Sequence, residues 1–259
     1  MRSLLIGLVC LSAGVADAAD TFPGEEGDII ITPLIHSSVQ LEYQGKVVQI
    51  DPWDRLGLPG AKPADLILIT DDVGHHMDPP AIARLRKPGA PVVITEKVGD
   101  RVPDATVMVN GEKREFAGIT VEAVAAYDII PGEPSHPPGE ANGYVVTLGG
   151  KRIYFAGVTE CVPELSQLGE IHVAFMPLNI PLARMTPAAS ARCTRMINPE
   201  VVYLYHYDQD YARRALQPSY VGPPLPDNLT VPQTLERYAQ LMQGSGIEIR
   251  RGNFYPPLD

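Results

Sequence analysis

Two glycine-centred hairpin patterns recur in the chain, one in residues 41–51 and one in residues 146–157. In each pattern an apolar stretch runs into a glycine-containing turn, and a second apolar stretch returns. Glycine supplies the positive φ that a two-residue hairpin turn requires, so both patterns predict a pair of antiparallel strands. The recurrence predicts a fold of two similar halves, each opening with a hairpin.

Short apolar runs and helix-start signals alternate after each hairpin. Strands are predicted at residues 66–69, 92–95, 106–109, 119–126, 173–177, 201–206 and 247–250. Asp78, Thr186 and Thr230 each stand just before a proline at the start of a helical stretch, which is typical of an N-cap followed by the first helical turn. Alternating strands and helices in both halves predict an α/β layered domain.

The N-terminal segment has the pattern of a secretory signal peptide. Arg2 precedes an apolar run at residues 4–15, and small residues occupy the cleavage positions at residues 16–18. We therefore expect residues 1–18 to be removed and residues 19–259 to form the mature domain, in the periplasm or outside the cell. The alternative is a buried N-terminal helix, which the glycines of the run disfavour. No later stretch approaches the ~20 apolar residues of a membrane span, so no span is predicted.

The net charge limits the classes of partner that the chain can bind, and the cysteines bear on the compartment in which it works. The chain carries 31 acidic and 21 basic residues, a net charge of -10. Such a surface repels nucleic acid and anionic lipid, so we expect neither as a partner and expect a small-molecule substrate or ligand instead. The oligomeric state is left open. Cys161 and Cys193 remain in the mature chain, where they either pair in an oxidising compartment or stay two separately buried thiols.

Several predicted strands end in side chains capable of metal or proton chemistry. These side chains are Asp71, Asp72, His75 and His76 after residues 66–69, Asp128 after residues 119–126, His136 in the loop beyond it, and His206 after residues 201–205. The ends of strands in layered α/β proteins converge on one edge, so we expect one shared site there. The remaining histidines, His36 and His172, are interpreted as structural residues.

The order of these motifs resembles the lactonase-like branch of the metallo-β-lactamase superfamily, of the ascorbate-phosphate lactonase type. The matching segments are residues 47–52, 70–79, 127–128, 136–137, 142–144, 151–159, 185–187 and 205–207. The resemblance implies a four-layer αββα sandwich of two similar halves, in agreement with the repeated hairpins. It also implies zinc or manganese held by histidines and aspartates, and hydrolysis of an ester, lactone, amide or phosphodiester.

Carried over position by position, the resemblance implies a reduced metal site. The first metal position would keep Asp71 and His136, but Val73 stands where the family has a third ligand. The second position keeps three histidines, the composition of a catalytic zinc site with an open fourth position: His75, His76 and His206. Val158 replaces the carboxylate that bridges the two metals, and valine offers no ligand atom. At most one ion, zinc, is therefore expected, and retention of the fold without metal is the open alternative.

Two carboxylates, Asp72 and Asp128, are predicted to orient the site or to accept a proton, although an exposed loop carboxylate is the commoner case. Two functions stay open. One is an exported metal-dependent hydrolase with an at most mononuclear site, acting on an ester, lactone or related bond. The other is a catalytically inactive relative that binds a small molecule or a protein partner through the former active-site cleft. The metal content of the purified protein separates the two.

Overall fold

Two mixed sheets of seven strands form the body of the protein in a computed structural model that describes residues 19–132, 136–181 and 183–258. The predicted signal peptide, residues 1–18, lies outside the described residues. The first sheet contains, in spatial order, β1 (Asp20–Gly24), β2 (Gly27–Ile35), β3 (Ser38–Tyr43), β4 (Lys46–Ile50), β5 (Leu66–Leu68), β6 (Val92–Ile94) and β7 (Thr106–Val107). The second sheet contains β8 (Lys113–Phe116), β9 (Ile119–Ala126), β10 (Ala141–Leu148), β11 (Lys151–Phe155), β12 (Val173–Pro177), β13 (Val201–Tyr205) and β14 (Glu248–Arg250).

The two sheets repeat one pairing order. In the first sheet β1 to β4 are antiparallel neighbours and β4 to β7 are parallel neighbours. In the second sheet β8 to β11 are antiparallel and β11 to β14 are parallel. This repetition along the chain confirms the predicted architecture of two similar halves.

The predicted hairpins are β3–β4 and β10–β11, each closed by a two-residue turn. The turn residues all have positive φ: Gln44 (49°), Gly45 (75°), Gly149 (52°) and Gly150 (76°). Two strands precede the hairpin in each half, so the expectation that the halves open with the hairpins is wrong. The first strand of each half, β1 or β8, is an edge strand, and most of the residues of β8 are exposed and polar. Pairing with a neighbour, rather than an apolar pattern, makes such a segment a strand.

The α-helices of the described residues are α1 (Pro79–Leu85), α2 (Pro187–Ile197), α3 (Tyr211–Leu216) and α4 (Val231–Leu241), with short 3-10 helices at Glu96–Arg101, Pro163–Gln167 and Pro226–Asn228. Three of the four α-helices begin at a predicted cap; α3 follows Asp210, which was not predicted as a cap. The side chains of Asp78, Thr186 and Thr230 accept backbone N–H groups in the first turns of α1, α2 and α4. Each cap satisfies a donor that the helix itself leaves free. Within the described part of the chain, every helix is too short or too polar to cross a membrane.

Three apolar layers hold these elements together. The central layer lies between the sheets and includes the stacked rings of Phe155, Phe175 and Tyr203, whose neighbouring centroids are 4.7 Å apart. A second layer packs α1 on the outer face of the first sheet, and a third packs α2 and α4 on the outer face of the second. The order helix, sheet, sheet, helix is the predicted four-layer αββα sandwich.

A disulfide anchors one loop to the outer helix layer. Cys161 and Cys193 form a disulfide, with their Cα atoms 5.3 Å apart. Of the two alternatives for these cysteines, the structure therefore has the paired one. The bond joins the segment after β11, which carries Val158 and Glu160, to α2.

One edge of the sandwich brings the two halves into contact. The backbone N–H of His206, just after β13, donates to the carbonyl of His36 between β2 and β3, at 3.0 Å. The hydroxyl of Tyr144 in β10 donates to the carbonyl of Ile69 after β5, also at 3.0 Å. The ends of strands from both sheets therefore meet at this edge.

Candidate metal centre

Three imidazoles meet where the halves touch. His36, His75 and His206 each place a ring nitrogen within 4.8 Å of nitrogens of the other two. His36 and His206 are buried, whereas His75 is partly exposed. We call these three residues the imidazole cluster. Three histidines that leave a fourth position free are the composition of a catalytic zinc site.

The backbone holds two members of the imidazole cluster in the left-handed region. His36 has φ 58° and His206 has φ 53°. Residues other than glycine adopt this region at a cost in energy, and such residues concentrate at functional sites. Because His36 comes from the first half and His206 from the second, the cluster forms only when the halves are docked.

Burial keeps these imidazoles in the form that binds metal. Burial, and then the neighbouring imidazoles, lowers the pKa of His36 and of His206 well below the ordinary value. The same causes, burial first, lower the pKa of His75 to about 3. A neutral imidazole offers a lone pair to a cation, whereas an imidazolium does not.

Several nitrogens of the imidazole cluster are buried without a hydrogen bond. Nε2 of His36 and both ring nitrogens of His206 have no hydrogen-bond partner among residues 19–132, 136–181 and 183–258. A buried polar atom without a partner is costly, and a metal ion would satisfy these atoms. The three residues therefore fit a metal ion.

His76 adjoins the imidazole cluster but is held from its other side. Its Nδ1 lies 2.6 Å from Oδ2 of Asp51 and 3.2 Å from the hydroxyl of Thr70. Its ring centroid is 4.6 Å from that of His75 and 4.9 Å from that of His206. The adjacent residues His75 and His76 thus both turn their rings toward one centre.

His136 lies between two carboxylates. Its Nε2 is 3.4 Å from Oδ2 of Asp71, and its Nδ1 is 3.0 Å from Oδ2 of Asp128. The burial of His136 acts to lower its pKa, but the hydrogen bonds and charges of Asp71 and then Asp128 outweigh burial and raise it. Burial likewise acts to raise the pKa of Asp71, but the contact with His136 and the nearby His76 lower it to about 2. This arrangement favours the imidazolium form of His136 between the two carboxylates.

Arg184 completes this group of charges. Its Nη1 is 3.0 Å from Oδ2 of Asp128, and its Nε is 3.4 Å from Oε1 of Glu160. All three side chains are buried. The acidic cluster consists of three carboxylates and the two cations among them: Asp71, Asp128, Glu160, His136 and Arg184.

The predicted site residues therefore divide into groups. Of the predicted metal ligands, the structure brings His75 and His206 together with His36 and places His76 beside them. Asp71 and His136 instead bind each other in the acidic cluster. The two predicted catalytic carboxylates also separate. Asp128 orients His136, accepting its backbone N–H at 2.8 Å, whereas Asp72 faces Arg101 at 2.8 Å and Lys97 at 3.6 Å.

Sequence reasoning missed two residues of this region, His36 and Asp51. Each follows an apolar run directly, as His206 does, and each comes to the same edge. The strand-end pattern that identified His206 was therefore present for both.

A cavity of 530 Å³ lies along the segment that follows His206. Its walls include Ile180, Tyr207, Pro224, Leu225, Asp208 and Arg214. The hydroxyl of Tyr255 lies 2.8 Å from Nδ1 of His36 and accepts the backbone N–H of Asp208 at 3.4 Å. One residue thus links the cavity wall to the imidazole cluster. Cavities with apolar walls and a few polar groups suit the organic part of a small molecule.

Comparison with known proteins finds one matching family model, together with relatives that are described as metal-dependent hydrolases. Residues 30–206 match the family model of the beta-lactamase superfamily domain. A metal-dependent hydrolase of Aeropyrum pernix is 28% identical over 199 residues, which cover 68% of this chain and 81% of that protein. One of Thermus thermophilus is 30% identical over 187 residues, which cover 68% and 82%. A solved structure from Parabacteroides distasonis, described in the same words, has a TM-score of 0.77 and 30% identity, covering 90% of this chain and 97% of that one.

Proposed function

The chain belongs to the beta-lactamase superfamily, and we propose that it is a metal-dependent hydrolase whose ion is held by His36, His75 and His206. The buried ring nitrogens of the imidazole cluster, unbonded within the described residues, carry this proposal. The relatives described as metal-dependent hydrolases support the same activity. We propose a single zinc ion, because three imidazoles and an open fourth position suit zinc.

In the proposed reaction the ion and the acidic cluster have different roles. When bound, zinc polarises a carbonyl and lowers the pKa of a coordinated water. The positive charge of His136 would stabilise negative charge that develops on the substrate. Asp128 orients His136 through its backbone N–H and Nδ1. Asp72 is assigned no proton transfer, since its carboxylate pairs with Arg101 and Lys97.

We propose that the bond cleaved is an ester, a lactone or a related bond, as in the lactonase-like branch. The cavity of 530 Å³ beyond Tyr255 is the proposed place for the organic part of the substrate. Its apolar walls favour an uncharged group there.

We also propose that the protein works in the periplasm or outside the cell. The signal-peptide pattern of residues 1–18 and the disulfide between Cys161 and Cys193 support this location. N-terminal sequencing of protein recovered from the cell envelope should begin at Ala19. Intact chain found only in the cytoplasm would contradict export.

Metal content tests the proposed function. Protein purified without chelators and without a metal-carrying tag should contain one zinc per chain by elemental analysis. Its hydrolysis of neutral esters and lactones should stop when the ion is removed and return when zinc is added. A protein that takes up no metal at micromolar zinc overturns the proposal.

The second candidate function is binding of a small molecule or a protein partner without catalysis. Val73 and Val158 favour it, because they stand where the family has ligands and valine offers no ligand atom. Metal-free protein that binds a compound of the same panel without hydrolysing it would support this function.

A further inference from the structure

The outer wall of the 530 Å³ cavity is a loop between α3 and α4, residues 217–230, which we call the outer loop. The family model ends at residue 206, so the outer loop lies outside the family match. Its prolines restrict the backbone to few conformations: Pro218, Pro223, Pro224 and Pro226. A stiff segment of this kind forms a fixed wall when it is fastened to the rest of the protein.

Tyr220 fastens the outer loop to the start of α3. Its hydroxyl donates to Oδ1 of Asp210 at 3.2 Å and accepts from Nη1 of Arg213, also at 3.2 Å. The guanidinium of Arg213 lies over the Tyr220 ring, 4.2 Å from the ring centroid. Tyr220 and Asp210 both line the cavity, so their contact closes it on the side of α3.

Gly222 makes a second close contact with Asp210. A Cβ atom at Gly222 would lie 2.2 Å from Oδ2 and 3.0 Å from Cγ of Asp210. Gly222 does not have positive φ, so the space beside Asp210, rather than the backbone conformation, requires glycine here. Val221, between the two contact residues, is 88% exposed. The outer loop is thus held against Asp210 at Tyr220 and Gly222, while the residue between them lies in solvent.

The cavity adjoins the proposed metal centre, and the carboxylates in its wall have partners. Tyr207, which follows His206 directly, lines the cavity. Asp208 pairs with Arg214, and Asp210 accepts a hydroxyl of the outer loop. Because the chain itself satisfies these carboxylates, an uncharged apolar group can fill the cavity without leaving a charge unpaired.

We propose that Tyr220 is a specificity-determining residue of the hydrolase. By fastening the outer loop to Asp210, it closes the cavity around the acyl group of the substrate, so that esters and lactones with a large uncharged acyl group are preferred over short ones. A cavity of 530 Å³ is of the size that holds a whole small molecule, which is far more than an acetyl group needs. The inference rests on the proposed function, from which it takes the reaction.

Alanine at three neighbouring positions tests this role in the zinc-loaded protein. Tyr220→Ala removes the fastening, Gly222→Ala forces the outer loop away from Asp210, and Val221→Ala is the matched control. The measurement is the ratio of kcat/KM for p-nitrophenyl octanoate to that for p-nitrophenyl acetate. The wild type should favour the octanoate by about 10-fold or more, because each methylene in an apolar pocket adds to the discrimination.

This ratio should fall in Tyr220→Ala and Gly222→Ala by about fourfold or more, the effect of returning one methylene to water. The loss should appear mainly in KM, because the outer loop acts on the acyl chain and not on the ion. Val221→Ala should keep the wild-type ratio. If Tyr220→Ala fails to fold, Tyr220→Phe replaces it, since only the hydroxyl is lost.

Binding of a ketone separates this inference from the proposed function. The probe is 2-nonanone, which carries the octanoyl chain and has no bond to hydrolyse. By calorimetry it should bind the wild type and Val221→Ala alike, and Tyr220→Ala and Gly222→Ala about fourfold more weakly or worse. If this order holds but neither ester is hydrolysed, the proposed function fails and the role of Tyr220 stands. A wild type that prefers the acetate, an unchanged ratio in both variants, or no binding of 2-nonanone overturns the inference, and hydrolysis of either ester then leaves the proposed function in place.

Discussion

The imidazole cluster and the acidic cluster occupy the same edge of the sandwich, yet their buried groups are balanced in different ways. The imidazole cluster gathers neutral groups of one kind and leaves ring nitrogens unbonded within the described residues. The acidic cluster places His136 and Arg184 among its carboxylates, so that opposite charges alternate. Buried imidazoles with unbonded ring nitrogens are suited to binding a metal ion, whereas the alternating charges of the acidic cluster neutralise one another.

This difference corresponds to the residues that depart from the family pattern. The resemblance implies that Asp71 and His136 stand at the family's first metal position, with Val73 and Val158 in place of the other ligands. In this protein Asp71 and His136 pair with each other, and the positive charge comes from His136 and Arg184. In the acidic cluster the chain itself therefore supplies the positive charge that faces the carboxylates.

Removing the cation of the acidic cluster should have the largest effect on stability. In Arg184→Met, Asp128 and Glu160 stay buried without the guanidinium that they share. We expect the free energy of unfolding in urea to fall by about 3–5 kcal/mol, the usual result when one partner of a buried pair is lost. The matched control is Arg195→Met in α2, whose guanidinium binds backbone carbonyls at the surface. Equal stability of the two variants would show that the acidic cluster is not charge-balanced by Arg184.

Loss of a member of the imidazole cluster should act on metal binding instead. His206→Ala removes a proposed ligand, so the affinity for zinc should fall by more than about 100-fold, beyond the effect of losing a supporting residue. The control is His172→Ala: Nδ1 of His172 accepts the N–H of Arg152 at 3.2 Å, just before β12. Elemental analysis and chelator competition measure both variants. Stoichiometric zinc in His206→Ala would place the ion elsewhere.

The stability of metal-free protein should depend on pH with opposite signs in the two clusters. His36, His75 and His206 have folded pKa values below the unfolded value of 6.5, so the unfolded chain binds more protons as the pH falls. Their contribution is present above that pH and is lost below it. We expect about 1 kcal/mol for each buried imidazole between about pH 6.5 and 5.5, measured by urea unfolding in the presence of a chelator.

His136 should oppose this trend. Its folded pKa is raised above 6.5, so its contribution is present below the unfolded pKa and is lost as the pH rises through the raised value. His136→Gln should therefore abolish the alkaline loss and keep the acid loss. An alkaline loss that persists in this variant would mean that a different group titrates.

The smallest effect is expected at Asp72. Its carboxylate is partly exposed and pairs with Arg101 and Lys97, so Asp72→Asn should change the free energy of unfolding by at most about 1 kcal/mol. Zinc content and hydrolysis should equal those of the wild type. Loss of hydrolysis with zinc retained would show that Asp72 takes part in the reaction.

Local signals in the sequence predicted most of the framework. The strands β9 and β12 have the predicted bounds, and Asp78, Thr186 and Thr230 are the caps of their helices. Glycine turns, caps and apolar runs each depend on a few neighbouring residues, which is why they can be identified in one chain. The strands β1, β2 and β8 were not predicted. For β1 and β8 the reason is that pairing with a neighbouring strand, rather than their own pattern, makes them strands.

The family motif covers only part of the candidate site. It includes His75 and His206, which lie together in the structure, whereas His36 joins them through the contact between the turn after β2 and the end of β13. Likewise, the resemblance implies that two valines replace ligands, but it does not indicate that Arg184 comes from the loop after β12 to balance Asp128 and Glu160. Contacts between distant segments decide both features, and no local pattern contains them.

The turn at His36 and the end of β13 form a seam between the two halves, and the proposed ion sits across it. The binding energy of the ion is therefore available only to the closed molecule. An ion that binds the native state alone stabilises it by about 2.7 kcal/mol when its free concentration is 100 times Kd. Zinc would then hold the two halves together, and loss of the ion would separate the halves at this seam before it loosened either sheet. In the proposed location outside the cytoplasm, the supply of zinc would set how long the two halves stay closed to proteases.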